Sequence, residues 1–368
     1  MVHNSMTREL LRTPLYDRHV ALGGKMVAFA GYELPAYYTS IIEEHRAVRN
    51  AVGIFDVSHL GEIKVKGPQA FPFLQKMIPT DLGRIGDHEV LYTVILNESG
   101  GIIDDILIYR LNMGSFYLVV NAARIARVFN HLQTYVPDAV EIANESLSLA
   151  CVAVQGPEAP PVMKRVFGPE VLKLKYYAFM PFAPWGPSVW ISRTGYTGED
   201  GFEVFSDAQK IVRVWDEMRG GLAVRPVGLG ARNTLRLEAG NVLNGTDMDE
   251  TQTPYEARLS WLVSAAKGDF VGRERLLERK LKGFRHKLAG FKLKEKAVAR
   301  EGCAIWKDGK KIGRVTSGSY SPTLSMSIGL GYVELPWTNP GTEMDIEVHE
   351  RRVPAEIVRL PFIPLKHL

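Results

Sequence analysis

The sequence contains few of the features that indicate a secreted, redox-active or membrane-spanning protein. Its two cysteines, Cys151 and Cys303, form no C-x-x-C pair and lie among small and apolar residues, so neither a zinc site nor a redox motif is predicted. We expect both to be small buried residues of a protein in a reducing compartment. No apolar run reaches the roughly 20 residues that a membrane-spanning helix needs, and the first residues lack the apolar segment and cleavage site of a secretory signal. A cytoplasmic protein without a membrane partner is therefore expected.

An excess of charge of one sign is also missing. Lysine and arginine number 45 against 41 aspartate and glutamate residues, a net charge of +4. Proteins that bind nucleic acids usually concentrate far more positive charge on one face, so no nucleic-acid partner is expected. The slight positive excess suits an anionic small substrate or an acidic protein partner. A G-x-G-x-x-G dinucleotide fingerprint is not found in the sequence either, and a flavin or nicotinamide domain is not predicted.

The length of 368 residues exceeds what one ordinary hydrophobic core serves, and two or three domains are expected. Ser40 followed by Glu43 has the spacing of a capping box, which predicts a helix from Ser40 to Asn50. A second helix, from Asp207 to Arg219, is predicted by apolar residues that recur at i, i+3, i+4 and i+7.

Strands are predicted where apolar residues alternate between Gly-containing turns, and short turns imply antiparallel neighbours. Asp308-Gly309 separates two such patterns, so we expect a hairpin there within a small antiparallel β-barrel at the end of the chain. The predicted strands are Gly61–Val65, Tyr92–Asn97, Ile102–Leu111, Phe116–Ala122, Ala304–Lys307, Lys311–Thr316, Met344–Val348 and Ala355–Leu360.

Two adjacent aspartates, Asp104 and Asp105, interrupt an otherwise apolar strand. Because strand side chains alternate between faces, only one of them can face a given cavity, and Asp105 shares its face with Leu107 and Tyr109. A carboxylate among such neighbours must be hydrogen-bonded, paired or at the rim of a cavity. One aspartate can accept hydrogen bonds from the Gly100–Gly101 turn, which leaves the other available for chemistry.

A glycine-rich loop leads into a strand in which Glu203 and Phe205 face one way and Phe202 and Val204 the other. A glutamate beside aromatic residues is suited to an amino-substituted heterocycle, because two adjacent N–H donors fit one carboxylate. The alternative is an exposed strand glutamate without a ligand.

Arg232 and Arg236 lie one helical turn apart and share a face if their segment is helical. Arg236 can form an ion pair with Glu238 or another carboxylate, and Arg232 can meet a ligand carboxylate or ring oxygen. The spacing alone is equally consistent with an ordinary capped helix.

Several longer runs follow one another over nearly the whole chain, from about Thr13 to Pro364. They are TPLYDRHVALGGKMVAFAGYELP, FDVSHLGEI, NESGGIIDDILIY, LVVNAA, QGP, TGYTGEDGFEV, ARNTLRLEAG, GTDMDETQTPYEA and RVTSGSYSP. In this order they resemble the glycine cleavage T-protein family, which are folate-binding aminomethyltransferases.

The resemblance implies an α+β fold with three domains in a clover-leaf arrangement around a central folate cavity, ending in an antiparallel β-barrel. The first domain would be discontinuous, formed by residues 1–52 and 140–265, and residues 53–139 would form the second. Residues 266–287 would be a basic linker or helix, and residues 288–368 the barrel.

The implied activity transfers the methylene carbon of an aminomethyl group from the lipoyl arm of H-protein to tetrahydrofolate, a co-substrate, with no metal. The products are 5,10-methylenetetrahydrofolate, ammonia and dihydrolipoyl H-protein. Position by position, the family's essential aspartate falls on Asp105, its pterin-recognising glutamate on Glu203 and its folate-contacting arginine on Arg232. Tyr92 and Tyr196 match aromatic positions that line the folate cavity.

The family often has a tyrosine near the C-terminus that contacts the cofactor, and His367 stands at that position here. The implied chemistry agrees with a fixed carboxylate, because positive charge develops on the folate nitrogen as it attacks. We expect Asp105 to position that nitrogen and stabilise its charge more than to act as a general base, since an ordinary aspartate is too acidic for that role.

Two other functions fit the same fold. A folate-dependent demethylase of a small methylated compound would use the same pterin site without a lipoyl partner. A non-catalytic folate-binding protein would carry a K-G-C-[YF]-x-G-Q-E signature, and here Asp269 replaces its cysteine. The basic stretch Lys267–Lys287 either docks an acidic lipoyl-bearing partner or is a solvated helix face.

Overall fold

The computed structural model describes residues 9–186 and 188–366, so His367 lies outside the described residues. Within them the chain alternates between short helices and strands without long helical runs. The α-helices are α1 (Tyr16–Ala21), α2 (Ile41–Asn50), α3 (Ala70–Met77), α4 (Ile125–Tyr135), α5 (Ala159–Phe167), α6 (Ala208–Arg219), α7 (Leu229–Glu238) and α8 (Arg273–Lys282).

The strands vary widely in length along the chain. They are β1 (Lys25–Phe29), β2 (Tyr32–Tyr37), β3 (Gly53–Asp56), β4 (Gly61–Lys66), β5 (Glu89–Leu96), β6 (Ile102–Asn112), β7 (Ser115–Val120), β8 (Glu141–Asn144), β9 (Ala150–Gln155), β10 (Phe179–Pro181), β11 (Trp190–Ser192), β12 (Gly201–Ser206), β13 (Arg225–Pro226), β14 (His286–Leu293), β15 (Ala304–Lys307), β16 (Lys310–Ser321), β17 (Met326–Glu334), β18 (Glu343–Val348) and β19 (Arg351–Val358).

The two helices predicted from the sequence, one from a capping box and one from apolar periodicity, are confirmed. The Ser40 hydroxyl accepts a hydrogen bond from the Glu43 amide at 3.2 Å and begins α2. The Asp207 carboxylate accepts one from the Lys210 amide at 3.0 Å and begins α6. In both cases a side-chain oxygen takes one of the backbone N–H groups that a helix start leaves without a partner.

The strands form two mixed α/β layers and a barrel. One sheet has the order β10-β11-β12-β9-β3-β13, in which only the β13–β3 pair is parallel, and a second has the order β5-β6-β7-β4-β8. A third closes as the barrel β14-β17-β16-β15-β18-β19, and β1 pairs with β2 as a hairpin. The α+β class and the antiparallel barrel are therefore confirmed.

The barrel contains more strands than the sequence predicted. The hairpin at Asp308-Gly309 is confirmed by the pairing of β15 with β16, but β16 continues to Ser321. The sequence patterns also missed β14 and β17, which are neighbours in the barrel. The basic stretch is α-helical over Arg273–Lys282, and its last two residues already belong to β14.

The division into domains stays a proposal, and strand pairing shifts three of its limits by a few residues. β3 pairs with β9 in the first sheet, so that sheet takes residues up to Asp56. β8 pairs with β4, so the second sheet extends to Asn144. The barrel begins at His286 rather than at residue 288.

Buried ionic contacts join these parts around α7. Glu238 meets His45 at 3.2 Å and Arg49 at 2.9 Å, and all three side chains are buried. On the same helix, Arg236 pairs with Asp247 at 2.6 Å. The Asp247 carboxylate also accepts hydrogen bonds from hydroxyls of β16, so α7 is fixed between the first sheet and the barrel.

Two smaller expectations have clear outcomes. Cys151 is buried, whereas Cys303 is only partly buried, so the expectation for Cys303 was wrong. Among residues 9–186 and 188–366, no helix is long and apolar enough to cross a membrane.

Candidate functional site

A cavity of about 940 Å³ lies between the two sheets and the barrel. Strands β5, β6, β12 and β16, helix α7 and the loops between them contribute to its walls. The five residues named from the sequence, Tyr92, Asp105, Tyr196, Glu203 and Arg232, all line it. The fold thus brings together residues that are up to 140 positions apart in the chain.

Asp105 is held at the wall of this cavity by hydrogen bonds to both carboxylate oxygens. The Tyr92 hydroxyl donates to Oδ2 at 3.0 Å, and the Asn121 side-chain amide donates to Oδ1 at 3.0 Å. Tyr92 lies on β5, which pairs with β6 along most of its length. With both oxygens occupied, the carboxylate has one fixed orientation.

Asp104 is fully buried and takes the structural role that the sequence left open, although with different partners. Its carboxylate accepts from the Asn121 backbone N–H at 2.9 Å and from the Asn121 side chain at 2.7 Å. The Gly101 amide of the preceding turn donates instead to Asn97 Oδ1 at 2.9 Å. The expected bond between an aspartate and the Gly-Gly turn was therefore wrong.

The two neighbouring carboxyls resist ionisation. Burial raises the pKa of Asp105 to about 6, although the hydrogen bonds from Tyr92 and Asn121 oppose this shift. Burial, and then the charge of Asp105, raise the pKa of Asp104 well above its ordinary value. Because the two groups interact strongly, they titrate as a pair. Asp105 is thus poised to gain or lose a proton closer to neutral pH than an ordinary aspartate.

Glu203 lies on β12 with its carboxylate in the cavity. Phe202 and Val204 face the opposite hydrophobic core, as the alternation predicted. The Thr194 and Tyr109 hydroxyls donate to Glu203 Oε2, and no described residue donates to Oε1. Burial raises the pKa of Glu203. The alternative of an exposed strand glutamate is wrong, since Glu203 is only 6% exposed.

Arg232 and Arg236 both line the cavity from α7, but their contacts differ. Arg236 is neutralised by Asp247 rather than by Glu238. The Arg232 guanidinium stacks over the Tyr196 ring at 4.8 Å, and in the described part of the chain it has no ion pair. The Tyr196 hydroxyl donates to the Val242 carbonyl, which fixes the ring. Of these two arginines, Arg232 is therefore the one available to an anionic or carbonyl-bearing ligand.

Three cavity residues were missed as individual site residues. Asn121 lies within the run LVVNAA, and His59 within FDVSHLG. Burial lowers the pKa of His59 to about 4, so its ring is neutral, and Nδ1 meets no donor or acceptor among residues 9–186 and 188–366. Trp261 is 62% exposed and tilts against Tyr92, with 5.8 Å between ring centroids. The motif runs contain Asn121 and His59, whereas Trp261 lies outside every run, so no signal in the sequence marked it.

The polar side chains that line the cavity include carboxylates, amides, phenols and arginines. Over residues 9–186 and 188–366, no group of three or more His, Cys, Asp or Glu side chains is placed to hold a metal ion. A flat, polar, aromatic ligand matches this lining, because Glu203 and Arg232 offer complementary charges beside several aromatic rings.

Comparison with known proteins matches two successive segments of the chain to family models. The GCVT N-terminal domain matches residues 15–267, and the glycine cleavage T-protein C-terminal barrel domain matches residues 286–363. An aminomethyltransferase of Halothermothrix orenii is 45% identical over 355 residues, 96% of this chain and 99% of that protein. One from Thermotoga maritima is 46% identical over 326 residues, 88% of this chain and 89% of that protein.

The fold has a solved counterpart. The crystal structure of glycine cleavage system aminomethyltransferase T from Bartonella henselae matches with a TM-score of 0.92 at 32% sequence identity. The match covers 97% of this chain and 99% of that one. The agreement therefore includes the two sheets and the barrel together.

Proposed function

This chain belongs to the glycine cleavage T-protein family, and on that premise we propose that it transfers a one-carbon unit from a lipoyl-bound aminomethyl group to tetrahydrofolate. Its relatives are named aminomethyltransferases, and the chain is an enzyme of that kind. The observation that carries the finer assignment is the position of Asp105, fixed at both oxygens in the same cavity as Glu203 and Arg232.

Glu203 and Arg232 are the groups we assign to the pterin ring of tetrahydrofolate. The ring presents an amino group beside a ring N–H, and a carboxylate can accept from both. Glu203 Oε1 has no donor among the described residues, whereas Oε2 already accepts a hydrogen bond from the Thr194 hydroxyl. Arg232, stacked on Tyr196, is free to meet a ring or side-chain oxygen of the ligand.

Asp105 is the residue we assign to the reacting nitrogen. Transfer breaks the carbon–nitrogen and carbon–sulfur bonds of the aminomethyl donor and forms two carbon–nitrogen bonds to the folate. Two protons leave the folate nitrogens, and one reaches the amine and the other the sulfur. A carboxylate beside the attacking nitrogen stabilises the charge that develops there. With a pKa near 6, Asp105 also accepts a proton more readily than an ordinary aspartate does.

The partner we propose is the lipoyl-bearing H-protein, with helix α8 as a candidate docking surface. Much of its charge is compensated inside the helix, because Glu278 pairs with Arg275 at 2.7 Å and with Lys282 at 2.5 Å. Arg279 pairs with Glu256 at 3.0 Å. Leu281, by contrast, is 88% exposed among these charges. An apolar side chain surrounded by cations suits an acidic partner, and a solvated helix face remains the alternative.

The assay combines tetrahydrofolate with aminomethyl-loaded H-protein and measures 5,10-methylenetetrahydrofolate. We expect product from the wild type and a loss of about 100- to 1,000-fold in kcat for Asp105→Asn, the usual effect of removing one preorganised electrostatic contact. Asp138→Asn, an exposed position outside the cavity lining, is the matched control. Binding of tetrahydrofolate should persist in both variants.

Two outcomes would reject the proposal. A folded wild type that binds tetrahydrofolate but forms no product from loaded H-protein excludes this donor, and turnover of small methylated compounds would then support the demethylase function. Full activity in Asp105→Asn would exclude the assigned role of that carboxylate.

A further inference from the structure

Asn121 is the residue on which both carboxyls of the Asp104–Asp105 pair converge. Its backbone N–H lies 2.9 Å from Asp104 Oδ2. Its side-chain nitrogen lies 2.7 Å from Asp104 Oδ1 and 3.0 Å from Asp105 Oδ1. An ionised carboxylate only accepts hydrogen bonds, and the amide presents its nitrogen to these oxygens. The two amide hydrogens are thus divided between two acids.

This position follows from the pairing of β6 with β7. Leu107 lies opposite Val119 in that ladder. Extending the same register by two residues places Asp105 opposite Asn121, where β7 ends. Asn121 also lines the cavity, so it reaches the pair from the same side as a bound ligand. It is the only residue among the described ones that donates hydrogen bonds to both aspartates.

We propose that Asn121 is a positioning residue for the transfer reaction, because its amide fixes the Asp105 carboxylate toward the folate nitrogen and joins it to Asp104 as one ionising unit. The inference rests on the proposed function for its kinetic part. The structural part, a donor shared between the buried Asp104 and the partly buried Asp105, stands on the contacts alone.

The physical reason is the cost of two charges in one buried place. Each carboxyl is difficult to ionise there, and adjacent like charges make the second ionisation harder. Donors aimed at the charged form are the groups that offset this cost. The Asn121 amide lowers the pKa of both acids against the effect of burial. Without it, Asp105 would be protonated over more of the working pH range, and its carboxyl would lose one of two orientation contacts.

Other charged or titratable groups also face the pair, and they set the background for any pH dependence. Tyr92 donates to Asp105, and Asp247 raises its pKa. The charge of Arg124 lowers the pKa of Asp104. The phenols of Tyr177 and Tyr196 lie near enough to have their own pKa values raised by Asp105. None of these groups contacts both acids, so they remain in place when only Asn121 is changed.

The test uses two variants that remove the donors in different ways. Asn121→Asp keeps the size of the side chain but replaces its two N–H groups by an acid, and Asn121→Ser keeps one shorter donor. Asn112→Ala, at the exposed turn of the same hairpin, is the control for hairpin stability. Thermal unfolding and tetrahydrofolate affinity establish that each protein is folded and binds its ligand.

The kinetic readout is the pH profile of kcat with loaded H-protein. A charge-assisted hydrogen bond corresponds to about one to two pKa units. We therefore expect the acid limb to move up by about one unit in Asn121→Ser and further in Asn121→Asp, with the Asn112→Ala limb unchanged. An acid limb that stays in place in both variants, with kcat lowered equally at every pH, would overturn the inference.

A second readout does not depend on turnover. Carbon-detected NMR of aspartate-labelled protein follows the carboxyl titrations, with Asp104→Asn and Asp105→Asn used for assignment. The inference requires that both titrations move upward together in Asn121→Ser, and two independent, unshifted titrations would refute it. If the wild type forms no product while the titrations shift as expected, the transfer function fails and the positioning role of Asn121 stands.

Discussion

Replacing Glu203 by glutamine should weaken folate binding and at the same time improve the stability of the unliganded protein. Glu203 is 6% exposed, and burial is the main cause that raises its pKa above the ordinary value of 4.5. Its charge is favoured only weakly by the protein itself, through Thr194, Tyr109 and the charge of Arg232. A carboxylate that the fold disfavours is expected where a ligand supplies the missing partners.

The size of the binding loss follows from the contacts that the carboxylate has available. Glu203 Oε2 already accepts from Thr194, so the ligand gains mainly from Oε1. A hydrogen bond to a charged group is worth about 1.5–3 kcal/mol. Losing this contribution weakens binding by about 10- to 150-fold. The glutamine amide would also place a donor where the pterin presents its own, which puts the expected loss toward the upper end.

The sign of the stability effect follows from linkage. In the unfolded chain Glu203 ionises near pH 4.5, but the folded protein holds its proton to higher pH. Above pH 4.5 the unfolded state therefore binds fewer protons than the folded state, and the free energy of unfolding falls as pH rises. Glutamine does not ionise. The stability of Glu203→Gln relative to the wild type should consequently increase from pH 4.5 toward pH 8.

Glu238 provides a buried control with the opposite sign. His45, Ser321 and Arg49 lower its pKa to about 2, in spite of its burial. Its charge stabilises the fold above its unfolded pKa, and this contribution is lost as pH falls from 4.5 toward 2. A shift of this size corresponds to about 3 kcal/mol at neutral pH. Glu238→Gln should thus be less stable than the wild type at pH 7.

Calorimetric titration with tetrahydrofolate and thermal unfolding between pH 4.5 and 8 measure both effects. The reasoning requires weaker binding together with a stability difference that grows with pH in Glu203→Gln. If this variant binds tetrahydrofolate as tightly as the wild type and is destabilised equally at every pH, Glu203 is a structural residue and the pterin assignment is wrong.

Three further predictions address the surroundings of the cavity. Asp247→Ala leaves Arg236 buried without its counter-charge, so the free energy of unfolding in denaturant should fall by about 3–5 kcal/mol. Adding Arg236→Met should restore part of this loss, and additive losses would contradict a coupled pair. Tyr92→Phe removes a donor that lowers the pKa of Asp105, so the acid limb of the pH profile of kcat should move above about pH 6. An acid limb that does not move would show that Tyr92 has no effect on this ionisation. Changing Arg279, Lys280 and Lys282 to glutamate should raise KM for H-protein and reduce its salt dependence, whereas unchanged salt-dependent kinetics would remove the docking surface on α8.

Features decided by a few neighbouring residues could be predicted from the sequence. The caps at Ser40 and Asp207 lie three residues from the amides they serve. The face of Glu203 followed from strand alternation, because Phe202 and Val204 require the core side. The roles of the five cavity residues came from the family resemblance, and spacing alone would not have brought them together.

The missed barrel strands show a limit of pattern reading. β17 contains Gly329 and Gly331, which weaken a strand prediction because glycine has low strand propensity. In the folded barrel these glycines are required by close packing. A Cβ on Gly329 would lie 2.3 Å from the Phe291 ring, and one on Gly331 would lie 2.7 Å from the Arg314 carbonyl. The two glycines that weaken the strand prediction are therefore the residues that allow neighbouring parts of the barrel to pack closely.

The Asn121 contact shows why the site could not be completed from sequence. The predicted strands ended at Leu111 and began at Phe116, and pairing those ends would place Asp105 opposite Ala122. A bulge between Arg110 and Asn112 shifts the register by one residue, so the position opposite Asp105 is Asn121 instead. A shift of one residue exchanges every side chain between the two faces of a strand. The bulge therefore decides whether the carboxylate pair meets an amide or a methyl group, and no local pattern in the sequence marks it.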